Sequence, residues 1–106
     1  MTLEVRFESQ AARELDEAAL RYEGERAGLG LEFLDAVDRS VSMIQRWPEA
    51  APRAPDLPED IVVRRAPVRA FPYRLVYLRT ATTLRVLAVA HDAREPGYWT
   101  GRIPNP

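Results

Sequence analysis

The chain has 106 residues, no cysteine, a single histidine and a formal net charge of −1, with 46% hydrophobic and 29% charged residues. That size and balance imply a single domain over residues 1–106, and they exclude a disulfide framework, a thiolate metal site and a thiol nucleophile. All fifteen basic residues are arginine, so lysine-based catalysis is excluded too; what remains is a permanently charged planar fork suited to carboxylate or phosphate.

Leu3, Val5 and Phe7 alternate with Glu4 and Arg6, which predicts a half-buried strand over residues 2–7. Ser9 stands in an N-cap position before a helix over residues 9–24, where Ala12, Leu15, Ala19 and Tyr22 recur at helical spacing. Gly24, Gly28 and Gly30 interrupt the pattern, and a second helix over 31–47 resumes it with Phe33, Leu34, Val37, Val41, Ile44 and Trp47 along one side. The pair should form an antiparallel hairpin. Pro48, Pro52, Pro55 and Pro58 end the helical run and make residues 48–59 a connecting loop.

The remainder reads as sheet over residues 61–67, 71–79 and 82–91, with Thr80-Ala81 as a tight turn. Phe71, Tyr73, Leu75 and Tyr77 share one face and Arg74, Val76 and Leu78 the other, whereas Leu84 to His91 is apolar on both faces and so predicts a central, covered strand. The expected fold is therefore α+β, in the order β-α-α-β-β-β, with the N-terminal strand and helical hairpin packed on a small, mainly antiparallel sheet. No run approaches the roughly 18 apolar residues of a membrane span, and Met1 to Arg6 carries no leader pattern, so a cytoplasmic protein with no membrane partner is expected.

Charge is unevenly spread. Residues 1–60 hold 14 acids and 7 arginines, whereas residues 61–106 hold 8 arginines against Asp92 and Glu95. Two readings stay open: the halves neutralise each other internally, or the second half presents an arginine-rich face to an acidic partner. No metal-ligand spacing accompanies His91, no serine has a Gly-x-Ser-x-Gly context, and Gly28-Leu29-Gly30 lacks the third glycine of a nucleotide loop, so neither metal nor cofactor is expected. The carboxylates Asp16, Glu17, Asp35 and Asp38 fall on solvated helix faces.

The remaining chemistry lies in Arg64, Arg65, Arg69, the run Phe71-Pro72-Tyr73-Arg74, and His91-Asp92-Ala93-Arg94-Glu95-Pro96-Gly97-Tyr98-Trp99. A histidine or carboxylate base, an arginine and a tyrosine are the parts needed to cleave RNA through its own 2′-hydroxyl. Equally, the aromatic residues can fill a core, His91 can cap a strand end and the arginines can be solvated.

The ordered set Val63-Arg64-Arg65, Phe71-Pro72-Tyr73-Arg74-Leu75-Val76-Tyr77, Val86-Leu87-Ala88-Val89-Ala90-His91 and Arg94-Glu95-Pro96-Gly97-Tyr98-Trp99 resembles the RelE/ParE superfamily of bacterial toxins, most of all its ParE-like branch. Ala12, Leu15, Tyr22, Gly28-Leu29-Gly30 and Phe33-Leu34 resemble the helical hairpin of that branch. The resemblance implies the toxin of a type II toxin-antitoxin system, bound and neutralised in a hetero-oligomer by a cognate antitoxin. It implies contact residues on the second helix (Phe33, Val37, Val41) and among the sheet arginines (Arg64, Arg65, Arg69, Arg74).

Two activities occur in the superfamily. ParE-like members inhibit DNA gyrase by binding; RelE-like members are ribosome-dependent mRNA endoribonucleases, for which Arg65, Arg69, His91, Arg94 and Tyr98 are the matching candidates here. The basic loop of RelE-like enzymes is replaced by residues 52–60 with three acids and one arginine, Asp92 stands where a catalytic arginine is wanted, and the pI is near 5.8. These departures favour a non-enzymatic, ParE-like inhibitor over RNA cleavage, which depends on phosphate neutralisation. A third possibility is an antitoxin-binding module whose toxicity is weak or lost.

Overall fold

The computed structural model describes residues 2–104, in the order β1 (Glu4–Phe7), α1 (Ser9–Glu25), α2 (Leu29–Arg46), β2 (Val63–Val68), β3 (Tyr73–Arg79), β4 (Thr83–His91) and a final 3₁₀ turn, Thr100–Arg102. The four strands form one sheet in the order β1-β4-β3-β2, with β1 parallel to β4 and the other pairs antiparallel. This is the expected α+β order, and β4 occupies an interior position between β1 and β3, as its two apolar faces require.

The helix boundaries differ from expectation for traceable reasons. Ser9 is the first residue of α1 and Glu8 is its N-cap, without a side-chain cap; the Glu8 carboxylate instead pairs with Arg85 across the sheet. Gly24 does not break α1, which continues to Glu25, and α2 begins at Leu29 rather than Leu31. Glu23 explains the early start: its carboxylate accepts the amides of Gly28 (3.0 Å) and Gly30 (3.0 Å), satisfying donors that an α-helix N-terminus leaves unpaired. Those two bonds hold the Glu23 carboxyl below its ordinary pKa. The chain reverses at Gly28, whose φ of 91° lies in the left-handed region open to glycine.

One face of α2 lays Phe33, Ala36, Val37 and Ile44 on the sheet, with Tyr73, Leu75, Tyr77, Leu84, Val86 and Val89 beneath. The buried Ser40 hydroxyl on the same face donates to the Pro67 carbonyl at 2.8 Å. Trp47, expected along this apolar side, leaves it: α2 ends at Arg46, and the indole turns outward to 54% exposure. Phe71 likewise precedes β3 instead of starting it, in a turn where Ala70 has φ 72°, yet its ring still packs edge-on against Tyr22 and Phe33.

The opposite face of the sheet is covered as well. Val63, Val76, Leu87 and Ala88 are buried under Ala54 of the proline-rich loop and Trp99 of the C-terminal segment. A bulge makes this possible, because Val76 faces Ala88 while Tyr77 faces Val86, so Leu87 is the extra residue on β4. Leu84 and Val86 thus face the helices, Leu87 and Ala88 the loops, and Val89 the helices again. The proline-rich loop also covers part of the β2 edge: Ala54 N–H donates to Val63 O (2.7 Å) and Arg65 N–H to Pro52 O (2.9 Å). β2 starts at Val63, which pairs with Leu78 of β3, two residues later than expected. No helix among the described residues is long and apolar enough to cross a membrane.

The helical hairpin closes at the contact of Gly30 with α1, where a Cβ would sit 2.7 Å from the Ala19 carbonyl oxygen, whereas a Cβ at Gly24 would meet nothing within 4 Å. Gly30→Ala should therefore destabilise the fold by about 1–3 kcal/mol through forced separation of backbone, and Gly24→Ala should stabilise it by about 0.4–1 kcal/mol. Opposite shifts of the urea unfolding midpoint check the pair.

Candidate functional site

Beyond the C-terminal end of β4 the chain folds back over the sheet and leaves a cleft of about 370 Å³ lined by Arg65, Arg74, His91, Arg94 and Tyr98. Arg65 reaches it from β2, where it opposes Val76 on the face away from the helices. Its Nε is buried without a hydrogen-bond partner among the described residues. Arg74, on β3, lies 3.4 Å from Asp92 and both side chains are nearly half exposed, so this pair contributes little net stability. The Arg94 guanidinium is stacked 3.9 Å from the centroid of the Tyr98 ring.

Tyr98 is held from the helical side. Its hydroxyl donates to Glu14 Oε2 at 2.9 Å, and the Glu14 carboxylate also accepts both Arg102 Nη atoms (2.9 and 3.1 Å) and the Val89 amide (3.1 Å). Glu14 and Arg102 keep only 16% and 17% of their side-chain surface exposed, so this pair is far better shielded than Arg74 and Asp92. Arg102 additionally donates to the Leu87 carbonyl left open at the bulge, at 3.0 Å. Burial, followed by the hydrogen bond to Glu14, pushes the Tyr98 hydroxyl up to about 12.

His91 ends β4 with its Nδ1 accepting the Ala93 amide at 2.9 Å, which leaves the neutral ring's proton on Nε2. The ring stands edge-on to Tyr73 at 5.0 Å between centroids. The Tyr73 hydroxyl in turn accepts from Arg21 of α1.

Of the candidate ribonuclease residues, Arg65, His91, Arg94 and Tyr98 thus share one cleft, while Arg69 lies exposed on the β2–β3 turn and does not line it. The expected partner surface needs correction. Phe33 and Val37 are in the core, 0% and 2% exposed, because the apolar stripe of α2 faces the sheet; Val41 is half-buried against the same core. Arg64 is separated from the other arginines: it opposes Tyr77 on the helix-facing side and donates to the Ala51 carbonyl at 2.8 Å. Arg65 and Arg74 remain together in the cleft.

The charge asymmetry is partly internal compensation. Arg79, Arg85 and Arg102 of the second half pair with Glu49, Glu8 and Glu14 of the first. Glu14, Arg21 and Arg102 are the site residues that sequence reasoning missed. Glu14 carried a signal: it sits three residues after Ala11 and four before Ala18, the two fully buried residues of α1, and an acid in an apolar stripe needs a partner.

The element order, the mixed four-stranded sheet and the helical hairpin on one of its faces define a small ParE-like α+β fold. A chain in the solved structure of the chromosomal ParDE TA system from P. aeruginosa superposes with a TM-score of 0.70 at 16% sequence identity, over 84% of this chain and 95% of that one. No protein-family model matches the sequence, and neither does any curated protein. The likeness read from the ordered motifs is therefore met at the level of the fold.

Because the Tyr98 hydroxyl is held above its ordinary value of 10.0, its protonated form is favoured by folding, and that contribution is complete below about pH 10 and lost as pH rises toward about 12. Stability should therefore fall between those values, and Glu14→Gln, which removes a charge that raises the tyrosine, should move the tyrosinate absorbance transition to lower pH. The same substitution should cost about 1–3 kcal/mol at pH 7 through loss of the charged acceptor, read from urea unfolding.

Proposed function

We propose that the chain is the toxin of a type II toxin-antitoxin pair, neutralised by a cognate antitoxin, and that it acts by binding DNA gyrase or a related topoisomerase rather than by chemistry of its own. The likeness in fold to a chain of a ParDE TA system, over most of both chains, carries the toxin reading. Arg65, Arg69 and Arg74 are the cationic residues proposed to receive an acidic antitoxin segment, since Arg69 is exposed and Arg65 and Arg74 line an open cleft. Exposed ion pairs there contribute about 1 kcal/mol or less each, so they would speed association more than hold the complex.

The geometry of Tyr98 favours the inhibitor over the nuclease. A tyrosine that orients a scissile phosphate must offer its hydroxyl to the substrate, and this hydroxyl is committed to Glu14. His91 as a general base would need an unprotonated nitrogen facing the cleft, but Nδ1 is engaged by the Ala93 amide. Asp92 and Glu95 also line the cleft, which lowers its attraction for an RNA backbone. A ribosome-dependent endoribonuclease is the second reading, favoured by the meeting of Arg65, His91, Arg94 and Tyr98 in one cleft.

Purified, antitoxin-free protein should inhibit gyrase supercoiling or trap its cleavage complex, and Tyr98→Phe should inhibit as the parent does. Normal supercoiling with no trapped complex, together with message cleaved on programmed ribosomes and at least about a 100-fold fall in that cleavage on Tyr98→Phe, would establish the nuclease instead.

A further inference from the structure

The sheet has one covered edge and one open edge. The proline-rich loop bonds to Val63 and Arg65 on β2, whereas β1, at the other edge, has no strand beyond it among the described residues. The amides of Glu4 and Glu8 donate to Thr82 O (3.1 Å) and Val86 O (2.9 Å), so the even-numbered residues of β1 turn their backbone groups toward β4. Backbone groups alternate between the two sides of a strand, and those of Leu3, Val5 and Phe7 therefore face outward. The Val5 amide and carbonyl have no hydrogen-bond partner among the described residues. Leu3 O accepts Gln45 Nε2 at 2.9 Å and keeps a second lone pair. Glu4 and Arg6 keep 60% and 68% of their side-chain surface exposed, while Leu3, Val5 and Phe7 are half-buried on the helical side.

The order of side chains along β1 selects what pairs with this edge. A second copy related by a two-fold axis must bring outward-facing residues against outward-facing residues, which leaves few antiparallel registers. With the axis on Val5, Leu3 lies opposite Phe7 of the second copy, Val5 opposite Val5, and Glu4 opposite Arg6. Every charge meets its opposite and every apolar side chain meets an apolar one. With the axis on Glu4 or on Arg6, that residue lies opposite itself, and like charges directly across a strand pair are destabilising. Glu4 and Arg6 already pair within the strand at 2.6 Å, and two such pairs laid side by side give each charge a second opposite neighbour. Exposed ion pairs contribute little, so these choose the register while the backbone bonds and the apolar contacts hold it. A short, charged edge ordinarily resists pairing. Opposite signs two residues apart exclude the other registers and admit this one.

We propose that β1 is a self-association edge: two copies of the chain pair antiparallel through β1, with Val5 on the two-fold axis, and join their four-stranded sheets into one. Residues directly opposite each other share a face of the sheet, so both helical hairpins lie on one side and the quartet of Glu4 and Arg6 side chains on the other. No β1 residue lines the arginine cleft, so each copy keeps its cleft open. Association through β1 requires neither toxin nor antitoxin activity.

Sedimentation equilibrium of the full chain tests this. The parent should dimerise with a Kd below about 1 mM. Glu4→Arg and, separately, Arg6→Glu each set like charges across the axis and should weaken the dimer by about tenfold or more. Both side chains are exposed, so parental melting temperatures are expected. Mixing the two variants should give a heterodimer at least as tight as the parent dimer, because one copy then offers only arginines and the other only glutamates at these positions. The double variant Glu4→Arg/Arg6→Glu should dimerise as the parent does. A parent that stays monomeric would overturn the proposal and leave the edge to a strand of another protein or to none. So would a dimer that neither single substitution weakens, which assigns association to another surface. Two weakened variants that fail to associate on mixing would overturn the Val5-centred register and the proposal with it.

Discussion

The Glu14 carboxylate ties together three parts of the chain that are far apart in sequence. It belongs to α1, takes an amide from β4 at Val89, and takes the side chains of Tyr98 and Arg102 from the segment that follows the sheet. A carboxylate with this little exposure would be costly if unpaired, and the four donors that satisfy it fix where each of those elements sits. Trp99 supplies the holding energy: burying a side chain of that size contributes about 2–3 kcal/mol, against about 1 kcal/mol net for a typical hydrogen bond. Apolar burial keeps the C-terminal segment on the sheet, and Glu14 decides how it lies there.

The position of that segment determines what the cleft contains. Val89 and Leu87 lie on opposite faces of β4 because of the bulge, so the strand offers an amide to Glu14 from one residue and a carbonyl to Arg102 from another. Arg102 therefore crosses the sheet edge as a bridge between the helical layer and the loop layer, bringing the Tyr98 ring under Arg94. The same contacts that build the cleft withdraw its tyrosine hydroxyl from it. A fold able to carry an arginine–histidine–tyrosine cluster can thus keep those residues together while committing two of them, Tyr98 and His91, to structural bonds.

Much of this fold was legible because its signals are periodic. Alternation in β1 and β3, the helical stripe of Phe33, Val37 and Ile44, and the two-faced apolar run of β4 are each imposed by the layer that covers them, so the pattern survives in the residues. What could not be read is set by contacts between distant positions. The α2 start depends on Glu23 folding back onto Gly28 and Gly30, and the start of β2 depends on its register against β3, which begins at Val63 and Leu78. The bulge at Leu87 leaves no mark in a strand that is apolar throughout, since either face accepts the same side chains. The site was legible only as a set of residue types: the proximity of Arg65, His91, Arg94 and Tyr98 followed the motifs, but the exclusion of Arg69 and the turning of Arg64 to the helical face required the register of β2 on β3.

The register also separates the two meanings of the charge asymmetry. Successive residues of a strand point to opposite faces, so Arg64-Arg65, one unit in the sequence, serves two surfaces: Arg64 lines a hollow beside Pro48 at one end, and Arg65 the cleft at the other. Arginines whose Cβ vectors face the helices find groups of the proline-rich loop, as Arg64 finds the Ala51 carbonyl and Arg79 finds Glu49. On the opposite side Arg85 pairs with Glu8 and Arg74 lies near Asp92, while Arg65 keeps a buried Nε with no partner among the described residues. Internal neutralisation is therefore present on both faces of the sheet, and the alternation of the strand leaves Arg65 to line the cleft on the face away from the helices.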